Sequence, residues 1–371
     1  MSRNPSDFLH RQSSLRYRLF PFAEMFSETS GIFPEQNLYV KSLMSDRKEK
    51  KVTARAHANI ALAKYWGKRD ETLNLPFFDS LSINLEDLYT ETTAVWNEED
   101  LRDALSINGW EVPAHKLGRI QKMLDTIRAK AGLEGMRCVL TSRNNFPVST
   151  GLASSASGAA AAAVAAAASA GLSLTERELT QLARLASGSG ARSIPGGWVR
   201  AYAGTKSDGS DCYAASLFPH QYWNLHVFAI LVDTKPKRIS STEGMSACQK
   251  SPFWDAYMSS AKMHADAAQN AIFQKDFSLL REVVHASTCQ LHALAATASP
   301  SIFYISPKSL EIIEHIHRQS QAVPVCCTLD AGSNVIVICE DVVYPFVKND
   351  IIAFGLPYIQ TKVGGGTSII N

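Results

Sequence analysis

Residues 144–158 read Asn-Asn-Phe-Pro-Val-Ser-Thr-Gly-Leu-Ala-Ser-Ser-Ala-Ser-Gly and run straight into a segment dominated by alanine. Pro147 and Gly151 break the backbone, whereas residues 159–170 carry the highest helix propensity that any residue type offers. This pattern predicts a turn that feeds a helix N-terminus. Unpaired N–H groups and the positive pole of the helix dipole converge at such an end. The backbone of Gly151, Leu152 and Ala153 is therefore open to phosphate oxygens, and Ser154 and Ser155 add hydroxyl donors. No Gly-Lys-Ser/Thr ending follows, which excludes a Walker-type loop. A turn of small residues before an alanine helix serves close helix packing equally well, and both readings stand on this signal alone.

Composition narrows the setting. The chain has 371 residues, 46% of them hydrophobic, enough for two lobes, and the boundary is expected near residue 222. A net charge of +2 gives no reason to expect a nucleic-acid or membrane surface. Seven cysteines without C-x-x-C spacing read as free thiols in a reducing, cytoplasmic compartment. The longest run of low polarity, residues 158–174, is too short and too weakly apolar to span a membrane. Residues 1–50 mix Arg3, Arg11, Arg16 and Arg18 with acidic residues and have no clear period. They are expected to form a disordered or peripheral extension, with an organelle-targeting segment as the alternative.

Several other stretches carry candidate chemistry. Alternation from Val52 predicts a strand that ends in Lys64-Tyr65-Trp66-Gly67-Lys68-Arg69, a basic and aromatic turn suited to an anion or simply to solvent. Residues 81–85 alternate as a strand. Residues 113–132 form an amphipathic helix on Leu117, Ile120, Leu124 and Ile127, with Arg119 and Arg128 off the apolar stripe. Thr175 and Glu178 have the capping-box spacing, and their helix leads into a second serine-glycine turn, residues 187–197, which holds Arg192. An arginine there can grip a carboxylate or phosphate with two parallel bonds, although such turns usually only connect.

Strands are predicted at 138–142, 198–203 and 225–232, and helices at 252–272, 275–297 and 306–319. His264, His285 and His292 lie on these helices and read as surface or packing residues. No His/Cys/Asp spacing there makes a metal site. Asp330 falls in a tight turn between two strands, where an aspartate usually serves as a local hydrogen-bond acceptor. The terminal Gly364-Gly365-Gly366 and its apolar tail have no assignment.

Taken together and in order, the segments 60–70, Asn144-Asn145-Phe146-Pro147 with Gly151-Leu152-Ala153-Ser154-Ser155-Ala156, Gly188-Ser189-Gly190-Ala191-Arg192-Ser193 and Asp330-Ala331-Gly332-Ser333-Asn334 resemble diphosphomevalonate decarboxylases. That family belongs to the galactokinase, homoserine kinase, mevalonate kinase and phosphomevalonate kinase (GHMP) superfamily. The resemblance covers about residues 52–340. It implies an α+β, two-lobed GHMP-kinase-like fold around a deep cleft, with an ATP-binding lobe over 51–222 and a ferredoxin-like lobe over 223–371.

The resemblance also implies a reaction. Mevalonate diphosphate and ATP, with Mg²⁺, give isopentenyl diphosphate, CO₂, phosphate and ADP. Asp330 would take the proton of the tertiary hydroxyl, Lys64 would stabilise the transferring phosphoryl group, and Arg192 would hold the substrate carboxylate. Tyr65, Lys68, Arg119, Ser187 and Ser189 fall at the substrate diphosphate. Asn144, Gly151, Leu152, Ala153, Ser154, Ser155 and Ser241 fall at the nucleotide. Phosphates and water would hold most of the Mg²⁺ coordination sphere.

The resemblance further suggests a homodimer with no nucleic-acid or membrane partner. The competing readings are a superfamily decarboxylase or kinase that acts on mevalonate or its monophosphate, and a non-enzymatic nucleotide-binding protein. Two departures stand out. Phe77-Phe78-Asp79-Ser80 replaces a run rich in Asn and Ser and is expected to alter substrate preference, and Ser333 replaces a proline and is expected to loosen the aspartate turn.

Overall fold

The computed structural model describes residues 50–148, 151–235 and 238–371. The expectation for the N-terminal extension lies outside these residues, as do Ser149 and Thr150 of the opening loop. In chain order the elements of the first lobe begin with β1 (Val52–Ala63), β2 (Lys68–Asp70), β3 (Leu75–Pro76) and β4 (Ser80–Asn97). β5 (Ala104–Ile107), β6 (Trp110–Glu111), α1 (Gly118–Ala131) and β7 (Arg137–Asn144) follow, then α2 (Ser154–Ser169), α3 (Glu176–Ala186), β8 (Trp198–Tyr202) and β9 (Tyr213–Phe218).

β4 is much longer than its predicted centre at 81–85. Its first residues pair with β8 and its later ones with β7, while β1 runs antiparallel along its other edge. The register between β1 and β4 jumps between His57 and Ala58, where residues 86–88 of β4 are extra. β4 alternates buried and half-buried residues beyond that bulge and is buried on both faces before it, as expected of a strand that passes from the edge of the lobe into its centre.

The alanine segment is α2, and residues 159–168 are all buried. A helix apolar all round belongs in a core. Methyl side chains let it lie close on β1 and β4, where Ala54, Ala56 and Ala94 are themselves small and the larger Trp96 donates its Nε1–H to the Ala166 carbonyl at 3.0 Å. The predicted capping box of α3 forms, with Thr175 Oγ1 accepting from the Glu178 N–H and Glu178 Oε2 accepting from the Thr175 N–H.

One side-chain placement differs from expectation. Arg128 is 9% exposed. Its Nη2 donates to both Asp103 oxygens at 2.7 and 2.6 Å and its Nε to the Met136 carbonyl at 2.9 Å. A carboxylate 25 residues away makes burial of this charge tolerable, and no helical periodicity reveals such a partner.

The second lobe comprises β10 (Leu225–Ile230), α4 (Ser241–Cys248), α5 (Trp254–Ser260), α6 (His264–Gln274), α7 (Phe277–Ala296), α8 (Pro307–Gln319), β11 (Val325–Thr328), β12 (Val335–Glu340), α9 (Tyr344–Ala353) and β13 (Tyr358–Lys362), after which β14 (Ser368–Ile369) joins the sheet of the first lobe. Among the described residues the antiparallel sheet of the second lobe has the order β11-β12-β10-β13. Alternate residues of β10 and β12 face two layers: Val227, Ala229, Ile336 and Ile338 meet α6, α7 and the first lobe, while Phe228, Ile230, Val335 and Val337 meet α8 and α9.

The helix expected over 252–272 is two helices with a 3-10 turn between them. The Ser259 and Ser260 hydroxyls donate to the Ala256 carbonyl and compete with helical bonding there. The unassigned tail returns to the first lobe. Gly364 donates to the Asn84 carbonyl, and β14 pairs with β1.

Candidate active site

β1 delivers Lys64 into a cleft of about 270 Å³ between the lobes. Lys64 is 6% exposed, and its Nζ donates to the Ala61 carbonyl at 3.0 Å and to Asp330 Oδ1 at 2.6 Å. Burial pulls the Lys64 pKa down, Asp330 pulls it back up, and the nearby Arg192 charge lowers it again. Asp330 sits in the turn between β11 and β12 and is the sole carboxylate lining the cleft among the described residues.

Ser333 is tied into that turn. The Ser333 hydroxyl donates to the Tyr304 carbonyl at 3.2 Å, a bond that a proline could not make, and its own carbonyl accepts from Ser309 at 2.6 Å.

Arg192 lies in the 3-10 turn Gly188–Ser193 and is 3% exposed. Its Nε donates to Asn59 Oδ1 at 3.2 Å and its Nη1 to Ser80 Oγ at 2.9 Å. Asn59 in turn donates to the Ser189 carbonyl at 3.1 Å and to Ser193 Oγ at 2.8 Å. One amide therefore fixes both the serine turn and the guanidinium, and the available signal was a polar residue inside an apolar strand.

At the helix end, the N-cap residue of α2 is Ala153, with φ of 53° and no side chain of its own to cap the first turn. Gly151, at φ of +92°, packs so closely on the aspartate turn that a Cβ would sit 2.9 Å from Gly332 Cα. The loop before α2 and the turn that holds Asp330 are thereby held side by side.

Tyr65, Lys68, Arg119, Ser187 and Ser189 line the same cleft, as do Gly151, Ala153, Ser154, Ser155 and Ser241. Two expected nucleotide residues do not. Leu152 is buried in the core, and Asn144 ends β7 with its amide donating to Thr90 Oγ1 at 3.0 Å.

Lys68 Nζ donates to Asn74 Oδ1 at 2.7 Å, and its pKa is lowered to about 8 by burial and then by the Arg119 charge. Arg119 reaches Thr242 Oγ1 at 2.6 Å. Thr242 belongs to α4, whose capped N-terminus also lines the cleft, so two helix dipoles point positive ends at one space. Sequence reading missed α4 because only eight residues form it. His292 is buried on α7; burial, and then the Lys64 charge, lower its pKa to about 4.

The Phe77-Phe78-Asp79 substitution does not face the cleft lining. Asp79 Oδ2 accepts from Arg200 Nη2 at 2.6 Å and its Oδ1 from the Ala203 N–H at 2.8 Å, and the two rings pack edge-on to Trp254 and Tyr257.

A glycine-serine loop at a helix N-terminus facing a buried lysine–aspartate pair, within this two-lobed fold, places the chain in the GHMP-kinase class. The comparisons narrow that class. Residues 56–214 match the diphosphomevalonate decarboxylase-like N-terminal domain, and residues 227–354 match the mevalonate 5-diphosphate decarboxylase C-terminal domain.

The chain is 33% identical over 344 residues to the diphosphomevalonate decarboxylase of Schizosaccharomyces pombe, covering 87% of this chain and 86% of that one. The human enzyme of that name is 34% identical over 318 residues, covering 80% and 78%. Among solved structures, mevalonate diphosphate decarboxylase from Staphylococcus aureus superposes with a TM-score of 0.80 at 32% identity, covering 87% of this chain and 99% of that one. MDDEF in complex with MVAPP, AMPPCP and magnesium also gives 0.80, at 31% identity over 87% of this chain and all of that one. The chain belongs to the diphosphomevalonate decarboxylase family.

Proposed function

We propose that this cleft carries out the ATP-dependent decarboxylation of mevalonate diphosphate to isopentenyl diphosphate with Asp330, Lys64 and Arg192 as its catalytic residues. The observation that carries the assignment is the Lys64–Asp330 contact of 2.6 Å beside a loop whose Gly151 touches Gly332. A carboxylate cannot leave as CO₂ unless its bonding electrons have somewhere to go. The tertiary hydroxyl on the neighbouring carbon must therefore first become a phosphate ester.

Asp330 takes the hydroxyl proton as the oxygen attacks the γ-phosphorus and ADP departs. Lys64 holds Asp330 in its ion pair and offsets charge on the moving phosphoryl group. The C–O bond to phosphate then breaks, the C–C electrons form the double bond, and CO₂ leaves. Arg192, immobilised by Asn59 and Ser80, orients the carboxylate for that step.

Tyr65, Lys68, Arg119, Ser187 and Ser189 bind the diphosphate, and the Ser154–Ser155 end of α2 with Ser241 binds the nucleotide phosphates. Mg²⁺, when bound, would be held beside the nucleotide phosphates near Ser154, Ser155 and Ser241 and would offset their charge. The described residues contain no cluster of three acidic, His or Cys ligands, and the hydroxyl-rich lining fits an ion held mainly by phosphate oxygens and water while it offsets phosphate charge. The domain boundary near residue 222, a homodimer and a cytoplasmic location complete this reading, supported by the family membership.

The test mixes purified protein with ATP, Mg²⁺ and either mevalonate diphosphate or the monophosphate, and follows CO₂ and ADP. Equimolar CO₂ and ADP with the diphosphate are expected, and their loss in Asp330→Ala, Lys64→Ala and Arg192→Ala. ADP without CO₂ refutes the assignment.

A further inference from the structure

Arg184 belongs to α3, three residues before the cleft-lining Ser187, and is 5% exposed. The buried Arg128 pairs with Asp103 and Asp125, and the half-buried Arg200 pairs with Asp79 and Asp266. Arg184 takes part in no ion pair among the described residues. Its Nε and Nη1 atoms are buried and lack hydrogen-bond partners there. Gly209 closes over the guanidinium, for a Cβ on it would lie 2.5 Å from Nη1, and the Cys212 thiol is its polar neighbour.

An arginine does not give up its proton to escape such a place. An uncompensated buried charge is costly, and it persists where something outside the chain supplies the opposite sign.

The surroundings say where that sign enters. Burial pushes the Tyr65 hydroxyl pKa up, and the charges of Arg192, Arg119 and Arg184 all oppose it, so Arg184 is felt at a cleft-lining hydroxyl. Asn74 ties the neighbourhood together, for its Nδ2 donates to the Arg184 carbonyl at 3.0 Å and its Oδ1 accepts from Lys68 Nζ. Arg184 and Arg192 thus flank the serine turn as two buried guanidinium groups, neither of them in an ion pair among the described residues, and of the two only Arg192 has Asp330 near it.

We propose that Arg184 is a positioning residue for the substrate diphosphate, its buried charge being balanced when that group enters beside Tyr65 and Lys68. The inference rests on the assignment of this end of the cleft to the diphosphate. It makes Arg184 a liability in the empty protein and an asset in the complex, whereas a merely structural arginine stabilises both.

The experiment compares Arg184→Met and Arg184→Lys with the parent, using thermal unfolding, calorimetric titration of inorganic pyrophosphate, and steady-state kinetics. Arg184→Met is expected to melt within about 2 °C of the parent or higher when empty. Its pyrophosphate Kd and its KM for the diphosphate substrate should rise about tenfold, or 1.4 kcal/mol, with kcat and the nucleotide KM within about twofold. Arg184→Lys, which keeps the charge, should bind pyrophosphate within about threefold of the parent.

The proposal is overturned if Arg184→Met fails to fold or melts far lower when empty, if its pyrophosphate affinity is unchanged, or if Arg184→Lys loses as much as Arg184→Met. Pyrophosphate binding needs no turnover. A parent protein that binds it and releases no CO₂ therefore refutes the assigned reaction and leaves the role of Arg184 standing.

Discussion

Replacing Asn59 by alanine tests whether Arg192, the arginine proposed to hold the substrate carboxylate, is placed by its own turn or by β1. Asn59 is 1% exposed and makes three side-chain hydrogen bonds: to Arg192 Nε at 3.2 Å, to the Ser189 carbonyl at 3.1 Å and to Ser193 Oγ at 2.8 Å. A bond to a charged partner contributes about 1.5–3 kcal/mol and each neutral one about 1 kcal/mol, so Asn59→Ala should cost about 3.5–5 kcal/mol in urea unfolding. Against a typical stability of about 5–15 kcal/mol the variant still folds.

With Ser80 as its remaining side-chain anchor, the guanidinium can pivot. A displacement of about 1 Å is expected to lower kcat/KM by on the order of 10²-fold. Asn59→Asp separates placement from charge, because its carboxylate still accepts from Arg192 yet neutralises it, so kcat/KM should fall although the arginine is held. A stability change below about 1 kcal/mol together with kcat/KM within threefold of the parent would refute the reasoning.

Three further outcomes are expected. Gly151→Ala places a Cβ against Gly332 at a positive φ, and should cost about 2–4 kcal/mol and slow turnover by moving the Asp330 turn, which chemical denaturation and single-turnover ADP formation read. Lys68 is charged below its lowered pKa of about 8, so KM for the diphosphate should climb as pH rises through 8. In the same range the empty protein gains stability, because the unfolded lysine keeps its proton to higher pH; Lys68→Arg should flatten both profiles. His292 stays neutral in the fold down to pH about 4, whereas its unfolded form protonates near 6.5. Its contribution is present above 6.5 and lost as pH falls toward 4, by about 2–3 kcal/mol, and urea titrations at pH 7 and 4.5 should show a smaller acid loss in His292→Gln.

What the sequence discloses about this protein divides by range. The start of α2, the capping box of α3, the strand leading to Lys64 and the turn holding Asp330 are written in consecutive residues, where propensity and period act directly. Asn59 finds its partners more than 130 residues away, or at that distance, and Arg128 finds its main carboxylate 25 residues away. Neither pairing leaves a local trace. β9, α4, α9 and β14 escaped because short elements take their shape from the neighbours that pair or pack with them. The cleft itself became legible only by family resemblance, since nothing in the spacing of Lys64, Arg192 and Asp330 says that they meet.

The methyl wall of α2 also limits how the enzyme can move. Alanine has no rotamers to exchange, so a helix whose own face is nearly all alanine, and which Trp96 pins by donating to the Ala166 carbonyl, has little to repack if it slides. The α2 side of the cleft is therefore an anvil. Any closure around the bound substrates must be travelled by the opposite wall, where α4 meets its neighbours through Met245 and Cys248 beside Trp66 and Tyr304, longer side chains with conformations to spare.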